Sequence, residues 1–349
     1  MSLFRVIGSE IKGVCAAVPS TEISNRDYKY ITEAERELLI KTTGIESRHI
    51  ALNGETTGDL CHAAAERLID QLKWDRTEID LIVFVSQSPD HFLPATSIII
   101  QNKLGLAKTT AAFDILLGCS GFVYGLSVVA SMMSTGGFRK ALLLSGDVSS
   151  AGVNVKDKST YPLFGDCGTA TALEYNRDYE MYFNLQSDGS GKDAIIMPHG
   201  GLRHPVTSES LIEKEIEPGV IRHQRNLWLN GMDVFNFSVR EAPSNVSALL
   251  EFCKHAVSEI DLFVMHQANL LMNETIRKKL KIESSKVPYT LKRYGNTSSA
   301  SIPLTLAEHF RNSDTIGKRI VLSSFGVGLS WGSCYLESGN WVIPETVKI

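Results

Sequence analysis

The chain has 349 residues, 43% of them hydrophobic and 21% charged, with a formal net charge of −4. This describes a globular protein with ample core, argues against general nucleic-acid binding, and leaves no run near the roughly 18 apolar residues that would cross a bilayer. There is no N-terminal signal-peptide pattern, and the six cysteines (Cys15, Cys61, Cys119, Cys167, Cys253, Cys334) lack paired spacing. A reducing, cytoplasmic setting is therefore expected, without a disulfide framework, metal site or cofactor.

In chain order, Leu81 to Val85 reads as an apolar strand. It leads into His91-Phe92-Leu93-Pro94, an unusually apolar loop between strand and helix. Ala112 to Leu117 reads as a buried strand running into small residues and Cys119, with a helix from near Gly121 to Met133. A cysteine at that junction has its thiolate favoured by the free amides and partial positive charge of a helix N-terminus. The alternative for Cys119 is a small buried hydrophobe at a strand–helix junction.

Two segments repeat at an offset of about half the chain. Glu78-Ile79-Asp80-Leu81-Ile82-Val83 recurs as Glu259-Ile260-Asp261-Leu262-Phe263-Val264, and Phe138 to Ser145 finds an echo in Gly317 to Ser324. A duplicated α/β half is expected, not a solenoid. The division falls after Leu173, at a polar stretch around Glu174 to Asp178, giving halves 1–173 and 174–349. His199 and His204 flank two glycines in a loop, with no third metal ligand at a sensible spacing.

The second half carries two more chemical segments. Leu262 to Met265 is an apolar strand delivering His266, followed by Gln267-Ala268-Asn269 and a helix. Tyr294-Gly295-Asn296-Thr297-Ser298 is a small-residue turn presenting an amide side chain. Cysteine, imidazole and amide are the groups acyl-thioester chemistry needs: a nucleophile, and two donors for the charge on the next carbonyl.

On Gly118-Cys119-Ser120-Gly121-Phe122, His266-Gln267-Ala268-Asn269 and Gly295-Asn296-Thr297-Ser298, the chain resembles the β-ketoacyl-ACP synthase III family of thiolase-fold condensing enzymes. Thr43-Gly44-Ile45, Phe164-Gly165-Asp166 and Phe325 to Gly332 fit the same order, so the resemblance spans essentially the whole chain. It implies duplicated halves forming a five-layered α-β-α-β-α core. Cys119 would accept an acyl group, its oxyanion held by the backbone amides of Cys119 and Val327. The Gly326-Val327-Gly328 turn would let the main chain approach. His266, as a neutral donor, and Asn296 would hold the enolate left when a malonyl thioester loses CO₂. Asn269 would support the site or a pantetheine arm, Phe325 would shield it, and Leu93 would reach the acyl site of the partner in a homodimer.

Several positions depart from well-known bacterial members. A tryptophan that stacks on adenine appears as Leu38, flanking basic residues appear as Thr42 and Glu46, and a second sandwiching arginine appears as Lys158. A carboxylate at Glu46 would repel a CoA phosphate. The donor is then acyl-CoA or, with this clamp altered, acyl-ACP. The carrier-docking arginine is Leu271, whereas Arg277, Lys278 and Lys279 keep a basic patch, readable also as a helix end favouring cations. The extender partner would be malonyl-ACP. Other readings compete, among them a thiolase, a type III polyketide synthase, acyl transfer to an alcohol or amine without decarboxylation, a non-catalytic partner of an active paralogue, and an α/β-hydrolase. The last fails because residue 117 is leucine where the nucleophile elbow needs glycine.

Overall fold

The computed structural model describes residues 2–52 and 54–349. Two sheets form its frame. The first runs Val347–Lys348, Glu10–Val18, Cys167–Glu174, Lys140–Asp147, Leu81–Val85, Ala111–Ile115 across its width, and the second Ser2–Ile7, Glu180–Ser187, Ser330–Glu337, Arg319–Gly326, Leu262–Met265. Both terminal strands cross the division drawn at residues 173 and 174: the first strand joins the second sheet, and the last joins the first.

Alternation along the strands explains the layers. Leu81, Val83 and Val85 face a core shared with Leu126 and Val129 of helix Gly121–Met133, whereas Ile82 and Phe84 face Leu60, Leu68 and Ile69 of helix Thr57–Leu72. In the second sheet Leu262 and Val264 join that shared core, while Phe263 and Met265 pack with Val246 and Leu249 of helix Gly231–Cys253. Strands buried on both faces read as continuous apolar runs. The layers are therefore an outer helix pair (Thr57–Leu72, Thr96–Lys103), a sheet, a middle pair (Gly121–Met133, Ser301–Phe310), a sheet, and a second outer pair (Gly231–Cys253, Leu270–Lys279).

The repeated segments occupy equivalent places. Asp80, one residue before its strand, accepts at Oδ2 from the backbone N–H groups of Arg139 (2.7 Å) and Lys140 (3.2 Å). Asp261, also one residue before its strand, accepts from the N–H of Arg319 at 2.8 Å. Each aspartate clasps the start of the neighbouring parallel strand, which accounts for the paired echoes.

One expectation is corrected. The strand before Cys119 ends at Ile115, forms the edge of its sheet and is only half-buried, and Leu116 is 72% exposed. Its Asp114 accepts from the N–H groups of Thr96 (2.7 Å) and Ser97 (2.9 Å), so the carboxylate satisfies free donors at the start of the preceding helix, Thr96–Lys103.

Candidate active site

The strands Leu81–Val85, Ala111–Ile115 and Lys140–Asp147 are mutually parallel, as are Leu262–Met265 and Arg319–Gly326. Their C-terminal ends open onto one cleft lined by Gln87, Cys119, Asp147, His266, Asn296 and Phe325, among others. Loops at these strand ends are where an α/β framework exposes chemistry without disturbing its core.

Cys119 is part-buried between the edge strand and helix Gly121–Met133. Its Sγ lies 3.9 Å from the Ser298 hydroxyl. Burial pushes the thiol up to about 11, and Asp147 adds to the rise; the Ser298 hydroxyl and the backbone N–H groups of Val327 and Cys119 pull it down. The expected lowering by the helix N-terminus is thus outweighed by desolvation, and the resting group is a thiol. Gly326 allows the close approach: a Cβ there would stand 2.5 Å from Cys119 Cβ and 2.9 Å from Sγ. The loop that follows is pinned by Ser330, whose hydroxyl donates to the Val327 carbonyl at 2.7 Å and meets the Ser120 hydroxyl at 2.6 Å.

His266 leaves its strand with its N–H on the Ser323 carbonyl (2.8 Å) and its own carbonyl accepting from Asn273 Nδ2 at 2.9 Å. Its Nδ1 lies 2.8 Å from the Ser301 hydroxyl, and the Phe325 ring stands edge-on to the imidazole with centroids 5.5 Å apart. Burial lowers its pKa to about 4, so the ring is neutral at physiological pH. With Nδ1 engaged, Nε2 is the nitrogen left for the cleft. Asn269 accepts from the Met272 N–H at 2.9 Å as a helix N-cap and also lines the cleft.

Asn296 is held by its backbone. Its N–H donates to the Leu163 carbonyl (2.9 Å), its carbonyl accepts from the Gly165 N–H (3.0 Å), and its side-chain oxygen accepts from the Ser298 N–H (2.9 Å). Occupying Oδ1 in this way leaves the amide NH₂ as the free end. The Phe164-Gly165-Asp166 segment is therefore the brace for Asn296. Arg48, 1% exposed, donates to the carbonyls of Tyr161 (2.7 Å) and Phe164 (2.8 Å) beneath it. Neither Arg48 nor Asp147 was singled out from the sequence. Asp147 could have been, since like His266 it is a polar residue ending an apolar strand.

The remaining expected site residues lie apart from the cleft. Leu93 is 87% exposed and does not line the cleft of its own chain. Arg277 is engaged by Glu274 (2.9 and 2.8 Å) and the Ile282 carbonyl (2.6 Å). Lys279 donates at 3.0 Å to the Val239 carbonyl, the group left without its helical partner by Pro243 four residues on. Lys278 is exposed and pairs with no other described residue. Leu38 is 61% exposed; the Thr42 hydroxyl turns back to the Leu38 carbonyl (2.8 Å). Glu46 lies near Arg26 (3.8 Å) and Lys292 (3.6 Å), which offsets the repulsion expected of a bare carboxylate. Lys158 pairs with Glu35 at 3.0 Å. The His199 and His204 rings stack on one another, with His199 bonded to Ser210. Among the described residues no cluster of three or more His, Cys, Asp or Glu could hold a metal ion.

The five layers and the cleft at the strand ends define a thiolase-fold enzyme. Family models described as 3-oxoacyl-[acyl-carrier-protein] synthase III match residues 113–189, and its C-terminal part residues 250–338. A β-ketoacyl-[acyl-carrier-protein] synthase III of Caldanaerobacter subterraneus is 34% identical, covering 95% of this chain and 98% of that one. The solved 3-oxoacyl-(acyl-carrier protein) synthase of Burkholderia xenovorans superposes with a TM-score of 0.91 at 34% identity, covering 99% of each chain. The priming β-ketosynthase of the R1128 polyketide pathway superposes at 0.83 with 26% identity, over 96% of this chain and 98% of that one. The chain belongs to the β-ketoacyl-[acyl-carrier-protein] synthase III family.

Proposed function

We propose that this protein accepts an acyl group on Cys119 and condenses it with malonyl-ACP, releasing CO₂ and leaving a β-ketoacyl-ACP. The observation that carries this reading is the meeting of Cys119, His266 and Asn296 on one cleft, with the amides of Val327 and Cys119 beside the sulfur. In the first step the sulfur attacks the donor's thioester carbonyl. The oxyanion is held by those two amides, and the thiol proton ends on the departing CoA or carrier sulfur. In the second, the malonyl thioester oxygen lies between His266 Nε2–H and Asn296 NH₂. Loss of CO₂ leaves its electron pair on an enolate there, and the enolate carbon attacks the acyl carbonyl, expelling the Cys119 thiolate. A neutral His266 suits a donor to this oxygen better than a charged ring, because the next step requires the enolate to remain unprotonated.

The altered CoA-clamp positions support a carrier-bound donor, and the exposed Lys278 is the member of the basic patch free to meet an acidic carrier. A homodimer fits the exposed surface: Phe92 and Leu93 are 89% and 87% exposed, and the exposed Leu116 follows a free sheet edge. We read Leu93 as a wall of the partner's acyl pocket. The six cysteines are all free thiols, in keeping with a reducing cytoplasmic compartment. No described helix is long and apolar enough to cross a membrane. The test is product analysis with acyl-ACP or acyl-CoA and malonyl-ACP. A β-ketoacyl-ACP and CO₂ should appear together and be absent with Cys119→Ser; acyl transfer to an alcohol or amine with no CO₂ would replace this reading.

A further inference from the structure

Asp147 ends the strand Lys140–Asp147 as a buried carboxylate, 2% exposed, that forms no ion pair with any described residue. A lone buried charge is costly unless hydrogen bonds replace its water. Here they come from two sides. Oδ1 accepts from the Gln87 N–H (2.8 Å) and the Ser86 hydroxyl (3.1 Å), with the Ser88 hydroxyl at 3.5 Å. Oδ2 accepts from the Ser299 N–H (3.1 Å) and the Ser299 hydroxyl (2.8 Å). One carboxylate thus joins the end of Leu81–Val85 to the turn that follows Asn296.

That turn carries a backbone outlier. Ser298 adopts φ +51, a left-handed conformation unfavourable for a non-glycine residue, and so needs its neighbours to hold it. Two consequences depend on it. The Ser298 N–H occupies Asn296 Oδ1, fixing which end of the amide faces the cleft, and the Ser298 hydroxyl comes to 3.9 Å from Cys119 Sγ.

We propose that Asp147 is a positioning residue for the decarboxylation step, acting through Ser299 and the strained Ser298 to present the Asn296 NH₂ to the malonyl thioester oxygen. This rests on the role given above to Asn296. It also assigns the carboxylate a cost, since a negative charge beside Cys119 disfavours the thiolate. Burial raises the Asp147 pKa on balance, against hydrogen bonds from Gln87, Ser299 and the Ser298 side chain that favour its charged form. Other titratable groups around this junction include His266, neutral, Cys61 and Cys167, which burial keeps protonated, and Asp90.

Asp147→Asn keeps the shape but offers the turn an NH₂ in place of one acceptor. It is expected to lower malonyl-ACP decarboxylation about 10–100-fold, somewhat less than deleting a donor outright. In the same variant, iodoacetamide alkylation of Cys119 should move to lower pH, because the repelling charge is gone. General damage to the fold would not produce this opposed pair. Ser299→Ala, which removes a single hydroxyl, should lower decarboxylation by a smaller factor and leave the alkylation profile in place. Decarboxylation within twofold of wild type in Asp147→Asn, or a fall with no shift in alkylation, would overturn the inference. Should Asp147→Asn not fold, an undiminished rate in folded Ser299→Ala would overturn it equally. Asn296→Ala run in parallel separates the two levels: if it too decarboxylates normally, the role of Asn296 has failed, not merely that of Asp147.

Discussion

At the scale of single residues, burial favours the uncharged form of both reacting groups. Cys119 stays a thiol well above neutral pH because burial raises its pKa from 9.0 to about 11. In the absence of substrate, its alkylation by iodoacetamide should therefore be slow at neutral pH and climb steadily into the alkaline range. A plateau reached by pH 7 would contradict this. His266 has the opposite sign: its pKa is depressed from 6.5 to about 4, so the neutral ring persists until well into acid. The pH–rate profile of decarboxylation should show no limb near pH 6.5 and should fall only as pH approaches 4. His266→Ala and Asn296→Ala should each cost on the order of 10²–10³ in malonyl decarboxylation, with a smaller effect on acylation measured by rapid quench. His266 and Asn296 were legible in the sequence because each ends an apolar strand or small-residue turn. Asp147 follows the same rule yet escaped notice, since an aspartate after a glycine reads as a turn. The thiol's raised pKa was not legible at all, because the sulfur is enclosed by backbone distant in sequence, such as Gly326.

At the scale of elements, the short segment Phe164-Gly165-Asp166 connects the two halves of the site. A Cβ on Gly165 would lie 2.1 Å from the Tyr294 carbonyl oxygen, backbone that cannot step aside without moving Asn296. Gly165→Ala should thus reduce decarboxylation strongly while lowering stability by about 1–3 kcal/mol, as overpacking does. Measured by activity and thermal unfolding together, full activity with normal stability would refute the brace. The sequence showed this segment only as a match to a family pattern; its reason is a bridge between residues more than a hundred apart. The strands Leu81–Val85 and Leu262–Met265 were read more easily, since burial on both faces makes them continuously apolar. The strand before Cys119 was misread as buried because its hydrophobic residues cover an edge, and periodicity does not distinguish an edge from an interior position.

At the scale of the whole molecule, repetition made the duplication visible in the sequence, while the five layers followed from the family resemblance. Asp80 and Asp261 clasping equivalent strands explain why those particular segments stay alike. The exchange of terminal strands between sheets left no mark in the sequence, because pairing partners are set by the closed fold. Assembly belongs to this scale as well. Burying Phe92 and Leu93 against a partner would contribute roughly 1.5–3 kcal/mol for each side chain, so a dimer is expected by light scattering at micromolar concentration. Leu93→Trp should narrow the range of acyl groups accepted while Cys119 still reacts. A monomer throughout, or an unchanged chain-length profile, would contradict the shared pocket.

The central claim is a covalent relay through Cys119 that ends in carbon–carbon bond formation. Its most direct test is intact-protein mass spectrometry with peptide mapping, after incubation with a panel of acyl-CoA and acyl-ACP thioesters and then a chase with malonyl-ACP. A single acyl adduct on the Cys119 peptide should form and disappear on the chase, as CO₂ and β-ketoacyl-ACP appear in equal amounts. An adduct on another residue, or one on Cys119 that malonyl-ACP does not discharge, would contradict the account.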